Sequence, residues 1–459
     1  MDFTFYMPVR VLSGPGCVRA GGELLRGLGR RCLVMTGGRG AKESGALDDM
    51  LDTLKQAGVD ATIFPGVGQN PLVSQCQQAA YAAEICRAEF VVGVGGGSVM
   101  DAAKAAAWLA ANRVEDTARL FAGTLRRPPL PLVLVGTTAG TGSEVTPFAV
   151  ITDQDTGVKY PLADYELMPK MAIVDADNMM KLPPRATQAS GYDVLTHAVE
   201  AYVSTFATEY TNGMCRDATK MVFDYLPRAY YSAFRDAKPD PVAREKMANA
   251  SALAGIAFAN AFLGINHSLS HKLGGWFHIP HGTANALLFP FVCRFNAQRH
   301  PYKMGTFSQY KYPQAFERYV ELGELIGVKG KTDEQTFENW IKACEQLKKD
   351  IDIPETILDW LLEAHPEKTA EEWETEFLAA VDQMSEWAFH DACTGCNPVY
   401  PTIAELKGCY LKAFYGEKKY AEKYGDIWEV PVTLPTDTHA AYPMGLCADL
   451  GVEKTGGFN

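Results

Sequence analysis

The sequence lacks the features that mark nucleic-acid-binding, membrane and secreted proteins. Its 459 residues carry a formal net charge of -12 and contain no block of basic residues, so nucleic acid and anionic membranes are poor partners. No apolar run reaches the roughly 20 residues that cross a bilayer. The N-terminus has no basic segment leading into an apolar stretch and a small-residue cleavage site, and we therefore expect a cytoplasmic protein.

A disulfide framework and internal repeats are also missing. The eleven cysteines are scattered without regular spacing, which in a chain of this size predicts reduced thiols. The composition is that of an ordinary globular protein, with 47% hydrophobic and 21% charged residues. The length allows two or more domains with a large core.

Short apolar strands alternate with helical patterns as far as Pro183 and Pro184. The pattern predicts strands at 3–12, 32–36, 61–65, 89–94, 132–136 and 172–175, and helices at 41–56, 72–88 and 99–111. Such alternation is typical of a parallel sheet with helices on both faces. We predict an α/β domain at 1–185.

The hydrophobic pattern changes after Pro183 and Pro184. Nearly every segment as far as residue 416 has helical periodicity, for example 217–234, 242–261 and 316–326, which predicts an all-α domain at 186–416. The remaining residues, 417–459, are rich in Gly, Pro and Thr, and favour an irregular tail.

Two glycine-rich loops follow neighbouring strands of the predicted sheet. Gly95-Gly-Gly-Ser98 comes between the strand at 89–94 and a helix, and Gly136-Thr-Thr-Ala-Gly-Thr-Gly-Ser-Glu144 follows the next strand. A helix N-terminus after such a loop offers unpaired backbone N–H groups to a pyrophosphate. Open α/β sheets bind ligands at the carboxyl ends of their strands, so we expect a dinucleotide there.

Histidines cluster between residues 193 and 281. Asp193 and His197 lie four residues apart in a helical pattern, and His267 and His271 repeat that spacing on a second helix. We expect Gly274 and Gly275 to end the second helix, and Pro280 to turn His281 back toward the same point. One carboxylate with imidazoles suits Zn or Fe(II) better than Ca or Mg. From spacing alone, His267 and His281 are stronger candidate ligands than His271.

Four motifs occur in a fixed order: Gly-Gly-Gly-Ser-x-x-Asp-x-x-Lys at 95–104, Thr-Thr-Ala-Gly-Thr-Gly-Ser-Glu at 137–144, Asp-x-x-x-His at 193–197, and His-x-x-x-His continuing to Pro-His-Gly at 267–282. Together they resemble the iron-containing alcohol dehydrogenase family. The segment at 392–405 is similar to the end of the alcohol dehydrogenase domain in bifunctional aldehyde-alcohol dehydrogenases.

The resemblance implies functions for individual residues. It implies that Asp193, His197, His267 and His281 hold the metal, with iron(II) the usual ion and zinc the alternative, and that His271 lies near the nicotinamide as a proton relay. It implies cofactor contacts from the two loops and their surroundings: Asn70, Gly96, Gly97, Ser98, Asp101, Thr137, Thr138, Thr141 and Lys159. The implied fold is a dehydroquinate synthase-like architecture, in which a cleft separates a Rossmann-like domain from a helical domain, assembled as a homodimer or higher homo-oligomer.

The chain departs from the family pattern at Gly37. Many members that prefer NAD carry an aspartate there, which disfavours the 2′-phosphate of NADP. With Gly37 and a nearby Arg39, both NAD and NADP stay open.

The predicted function is hydride transfer between nicotinamide C4 and a short-chain primary alcohol or aldehyde, with the metal as Lewis acid. The alternatives are a metallohydrolase whose His/Asp site activates water, and a reductase of a diol-derived or anionic aldehyde. Five aromatic residues near the motifs are candidates for an apolar substrate pocket: Phe148, Phe258, Phe262, Trp276 and Phe277.

Overall fold

The computed structural model describes residues 4–112, 127–154, 159–234, 237–301 and 314–434. Its N-terminal part contains a six-stranded, fully parallel sheet with the strand order β1-β8-β5-β4-β2-β3, and a separate antiparallel pair, β6 and β7. The strands are β1 Arg10–Ser13, β2 Arg31–Thr36, β3 Asp60–Phe64, β4 Phe90–Gly95, β5 Leu132–Gly136, β6 Phe148–Thr152, β7 Lys159–Ala163 and β8 Met171–Val174.

Helices cover both faces of this sheet, as the alternating pattern predicts. They are α1 Cys17–Ala20, α2 Gly22–Leu28, α3 Gly40–Ser44, α4 Ala46–Gln56, α5 Val73–Ile85 and α6 Gly97–Asn112. The central strands β4 and β5 are buried along their whole length, as expected for parallel strands covered on both sides. The helix predicted at 41–56 is instead two helices, because Gly45 adopts a left-handed φ of 95° between them.

The described residues of the C-terminal part form helices joined by short connections, with no strand among them. Its helices are α7 Pro184–Val203, α8 Glu209–Tyr231, α9 Pro241–Ala261, α10 Ile265–Phe277, α11 His281–Asn296, α12 Ala315–Leu325, α13 Asp333–Asp350, α14 Ile357–Ala364, α15 Ala370–Phe389 and α16 Ile403–Tyr424. One large apolar core runs through this bundle. The predicted fold class, an α/β domain followed by an all-α domain, is therefore confirmed.

Two details of the helical part differ from the sequence-based expectation. Gly274 and Gly275 do not end α10, which continues to Phe277 and stops at His278 in the left-handed conformation. The expected irregular tail also starts later than residue 417, because α16 continues through a kink at Gly416 to Tyr424. Residues 425–434 follow without helix or strand, and the rest of the tail lies outside the described residues.

Within the described ranges, no single helix is long and apolar enough to cross a membrane. Helices α9 and α10 reach that length only when taken together, and the chain bends by 108° between them. This bend, at residues 262–264, brings the first turn of α10 against α7, where the backbone N–H of Asn266 donates to Glu200 at 2.7 Å. It positions one of the candidate metal ligands, His267.

Helices α7 and α11 approach each other most closely at Gly282. A Cβ atom added there would lie 1.9 Å from the carbonyl oxygen of Ala189 and 3.2 Å from Cβ of Asp193. Only glycine permits this crossing, because real Cβ atoms do not approach backbone oxygen so closely. Gly282 therefore allows α7 and α11 to bring the candidate ligands Asp193 and His281 close together.

We expect Gly282→Ala to destabilise the protein by at least about 1–3 kcal/mol, since the methyl group forces α7 and α11 apart. Thermal unfolding should show a lower midpoint, and metal retention should fall with it. The matched control is Gly275→Ala on the exposed side of α10, where no atom lies within 4 Å of the added Cβ. That change should stabilise the protein by about 0.5–1 kcal/mol. Equal stability of the two variants would contradict the close-packing argument.

Candidate active site

Three helices bring one carboxylate and three imidazoles together. Measured from Oδ1 of Asp193, Nε2 of His197 lies at 4.0 Å, Nε2 of His267 at 3.7 Å and Nε2 of His281 at 3.7 Å. Asp193 and His197 come from consecutive turns of α7, His267 from the first turn of α10, and His281 is the first residue of α11. The ligand atoms of Asp193, His197 and His267 all lie within 4.8 Å of one another, and His281 approaches this group from its more exposed side.

The electrostatics of this cluster suit a divalent cation. Burial lowers the pKa of both His197 and His267 to about 4, so their rings are neutral at pH 7 and keep a free lone pair. Burial raises the pKa of Asp193, but the three imidazoles and the Asn285 amide outweigh it and hold the pKa below its ordinary value. Neutral imidazoles with one ionised carboxylate are the donors that iron(II) and zinc prefer. The residues therefore fit the metal that the resemblance implies.

Two residues that sequence reasoning missed hold the ligands in place. The Asn285 side-chain amide donates to Oδ1 of Asp193 at 2.7 Å, and its Nδ2 lies 3.2 Å from Nε2 of His267. Glu200 forms a short hydrogen bond with Nδ1 of His267 and accepts from the backbone N–H of Asn266 at 2.7 Å. Glu200 lies three residues after His197 on the same helical face, a signal that could have identified it.

His271 does not share this position. Its Nδ1 bonds Oδ2 of Asp391 at 2.9 Å, and its ring stacks on that of His281 with centroids 5.4 Å apart. Asp391 also accepts from Lys272 at 2.8 Å. Burial raises the pKa of Asp391, but Lys272 and His271 hold it well below its usual range. The Asp391 bond uses Nδ1 and leaves Nε2 for other contacts, and Asp391 lies too far along the chain for spacing to have indicated it.

The two glycine-rich loops contact each other at the edge of the sheet. A Cβ added to Gly96 would lie 3.3 Å from Cγ2 of Thr138, and one added to Gly97 would lie 2.8 Å from Cγ2 of Thr141. The backbone N–H of Thr137 donates to the carbonyl of Gly95. Gly97 is the first residue of α6, with Ser98 next, so a helix N-terminus opens onto both loops.

The second loop also packs directly against the helical domain. A Cβ added to Gly140 would lie 2.7 Å from Cβ of Ser190 on α7, and one added to Gly142 would lie 2.8 Å from Cα of Gly255 on α9. The loop that carries three of the predicted cofactor residues is therefore adjacent to the helix that carries Asp193. Both predicted sites therefore lie near the contact between the α/β part and the helical part.

Asp101, predicted to contact the cofactor, makes hydrogen bonds within the protein. Its Oδ1 accepts from Oγ of Ser143 at 2.7 Å and its Oδ2 from the N–H of Val150 at 3.0 Å. Ser143 also accepts from the buried Lys104 at 2.9 Å. Burial lowers the pKa of Lys104 to about 8, against the opposing effect of Asp101. These hydrogen bonds hold the second glycine-rich loop against α6.

The other predicted cofactor residues lie around the loops. Asn70 is exposed and has a left-handed φ of 53°. Lys159 is the first residue of β7, and desolvation followed by repulsion from Lys272 lowers its pKa. Gly37 follows β2, where an added Cβ would lie 3.2 Å from Cγ2 of Val99 in α6.

Comparison with known proteins agrees with this geometry. Residues 8–176 match the family model described as iron-containing alcohol dehydrogenase, and 187–414 match that of the C-terminal part of the Fe-containing alcohol dehydrogenase family. The bifunctional aldehyde-alcohol dehydrogenase AdhE of Escherichia coli (strain K12) is 42% identical over 407 residues, which are 86% of this chain but 44% of that protein. The chain thus spans less than half of that relative's length.

Two further similarities cover nearly complete proteins. The NADPH-dependent butanol dehydrogenase of Clostridium saccharobutylicum is 34% identical over 417 residues, 90% of this chain and 98% of that protein. The crystal structure of a 1,3-propanediol oxidoreductase superposes with a TM-score of 0.78 at 32% identity, covering 90% of this chain and all of the other. The resemblance, and the iron and NAD(P) it implies for the family, are confirmed. The chain belongs to the iron-containing alcohol dehydrogenase family.

Proposed function

We propose that this chain is a metal-dependent, NAD(P)-linked alcohol dehydrogenase and aldehyde reductase for short-chain primary alcohols and aldehydes. The observation that carries the proposal is the proximity of Asp193 and three imidazoles to two glycine-rich loops, which suit a dinucleotide. A hydrolase needs a metal site but has no use for the loops. The family membership supports the same assignment.

Each residue around the metal centre has a distinct role in this proposal. Asp193, His197, His267 and His281 hold iron(II), which when bound supplies a Lewis acid for the substrate oxygen. Burial keeps His197 and His267 neutral, so neither has to lose a proton on binding the metal. His271, oriented by Asp391, carries the proton between substrate and solvent through Nε2.

The cofactor lies across the loop edge of the sheet in this proposal. Gly96, Gly97, Ser98 and the N-terminus of α6 hold the pyrophosphate. The remaining contacts come from Asn70, Thr137, Thr138, Thr141 and Lys159, while Asp101 acts by holding Ser143 and the second loop. We retain the domain boundaries 1–185 and 186–416, the homodimer or higher homo-oligomer and the cytoplasmic location as predictions.

A functionalised aldehyde is the second candidate substrate. Lys159, whose pKa is lowered by desolvation and by repulsion from Lys272, is the candidate cation for an anionic aldehyde, because Lys272 is already paired with Asp391 at 2.8 Å. The similarity to a 1,3-propanediol oxidoreductase favours a substrate with a second polar group. A substrate panel that includes 1,3-propanediol and anionic aldehydes separates this candidate from simple alcohols.

The proposed activity is tested by reconstituting the purified protein with Fe(II) without oxygen, and in parallel with Zn(II), and assaying NADH and NADPH against short aldehydes. Asp193→Ala and His267→Ala should each lose both bound metal and turnover. His278→Asn changes an exposed histidine at the end of α10 and should keep both. Retained turnover in the Asp193 variant, or hydrolase activity without NAD(P)H binding, contradicts the proposal.

Glu200→Gln should weaken metal binding by roughly 10–100-fold. Burial raises the pKa of Glu200 to about 8, so the change keeps the size of the side chain and replaces the carboxyl group that bonds Nδ1 of His267 with an amide. Metal titration measures the affinity, and circular dichroism checks that the fold is kept. Glu386→Gln is the control, since it alters another buried glutamate, which accepts from Gln383 at 2.7 Å. Equal metal affinities in the two variants contradict a role for Glu200 in the site.

Gly37→Asp should shift preference toward NADH by roughly tenfold or more, because the carboxylate repels the 2′-phosphate and accepts from a ribose hydroxyl. Gly37→Ala adds the same Cβ against Val99 without charge. The measurement is kcat/KM for NADH and NADPH in all three proteins. If the alanine variant shifts the ratio as far as the aspartate variant, the effect is steric and the charge argument fails.

A further inference from the structure

Arg244 is a buried arginine whose hydrogen bonds go only to neutral groups. It lies near the start of α9 and leaves 3% of its surface exposed. Its guanidinium donates to Oγ1 of Thr187 at 2.8 Å and to the carbonyl oxygen of Leu182 at 3.0 Å. Its Nε has no hydrogen-bond partner among the residues that the structure describes. A guanidinium offers five N–H donors, so these two bonds leave most of its donors without a partner.

The positive charge of Arg244 is not compensated either. Within the described ranges no carboxylate forms an ion pair with it, whereas Arg294, a partly buried arginine of α11, bonds Glu338 at 2.6 and 3.0 Å. Burial lowers the pKa of Arg244 to about 10, so its guanidinium is still charged at pH 7. A buried charge without a counter-charge is costly. The site therefore favours a negatively charged ligand.

Arg244 lines a small cavity between the α/β part and the helical part. The other residues that line it come from the second glycine-rich loop, the segment before α7, and helices α7, α8 and α9, and they include Ala139, Met179, Ser190, Leu226 and Met247. A water-sized sphere can move its centre through about 10 Å³ of this cavity, which is room for one water molecule or one monatomic ion. No aspartate or glutamate lines it.

The hydrogen bonds around the cavity favour an anion over a water molecule. The hydroxyl of Thr187 already donates to the carbonyl oxygen of Leu182 at 3.3 Å, and that of Ser190 donates to Ala186 at 2.7 Å. Among the side-chain polar atoms of the lining residues, Nε of Arg244 alone lacks a partner, and it is a donor. A water molecule would accept from Nε but leave the charge uncompensated, whereas an anion does both. Phosphate and carboxylate groups have several heavy atoms and exceed the space.

We propose that this cavity binds a single halide ion, chloride under ordinary conditions, beside the guanidinium of Arg244. Ala139 and Ser190 both border the cavity, and Ser190 packs against Gly140 of the second glycine-rich loop. The bound ion therefore stabilises the contact between this loop and α7. None of the proposed metal ligands lines the cavity, and the inference does not depend on the proposed function.

The test measures the thermal unfolding midpoint of the purified protein, with and without added metal, over a series of sodium bromide concentrations. Sodium methanesulfonate keeps the ionic strength constant, so that charge screening does not change. The midpoint should rise by roughly 1–3 °C as bromide saturates the site, because a ligand that binds only the folded state stabilises it. The rise should be the same with and without metal, since a halide that coordinates the metal would act only in its presence.

Arg244→Gln removes the charge and should abolish the dependence on bromide. Arg294→Gln is the matched control, because it removes an arginine that already has a carboxylate partner, and it should respond to bromide as the wild type does. Bromide also scatters X-rays anomalously, so wild-type crystals grown in bromide should show an anomalous peak beside Arg244. This measurement decides the proposal if the Arg244 variant does not fold.

Four results would each overturn the proposal. They are a wild-type midpoint that does not respond to bromide, a response confined to the metal-loaded protein, an equal response in Arg244→Gln, and an anomalous map without a peak beside Arg244. Any of them assigns the cavity to water, and none of them bears on the proposed dehydrogenase activity.

Discussion

The structure depends on a buried carboxylate, Asp193, that faces three imidazoles and no cationic side chain among the residues described. An ion at this depth is costly unless other groups compensate it. The Asn285 amide supplies one hydrogen bond at 2.7 Å, and the neutral rings supply only dipoles. A divalent cation would compensate the charge better than any of these, so a metal held by the proposed ligands would stabilise the folded protein as well as serve its chemistry.

The glycine-rich loops belong to the α/β domain and Asp193 to the helical domain, so the two domains have to pack in a fixed position. The ammonium group of Lys104 donates to Oγ of Ser143 and to the backbone carbonyls of Thr146 and Phe148. One buried cation on α6 thereby fixes the second glycine-rich loop and the first residue of β6. Phe148, held at that point, packs against Phe258 beside His197. The elements proposed to receive the cofactor and those proposed to receive the metal thus share one packed interface.

The sequence predicts the regular parts of this structure well. Buried parallel strands such as β4 and β5 are continuous apolar runs, and the ligand pair on α7 has the spacing of one helical turn, so both follow from local pattern. The strands β6 and β7 were not predicted, although they pair locally, from Thr152 and Lys159 outward, and β6 alternates between more and less buried residues. Asp391 reaches His271 across 120 positions of the chain, a distance that no periodicity reveals.

Glycine is expected at helix ends and at positions with positive φ, and both expectations fail near His267. Gly274 and Gly275 look like a helix end but lie inside α10, while the strained turn that precedes this helix is made by Phe262. At the turn, a Cβ on Gly264 would lie 2.7 Å from Oδ1 of Asn397 and 2.9 Å from Oε1 of Glu200. The backbone is therefore clamped there by the side chain that holds His267. Because these contacts fix the bend, the backbone of Phe262 cannot relax to a negative φ. The backbone strain at Phe262 therefore follows from placing a candidate metal ligand, His267, directly after a sharp turn.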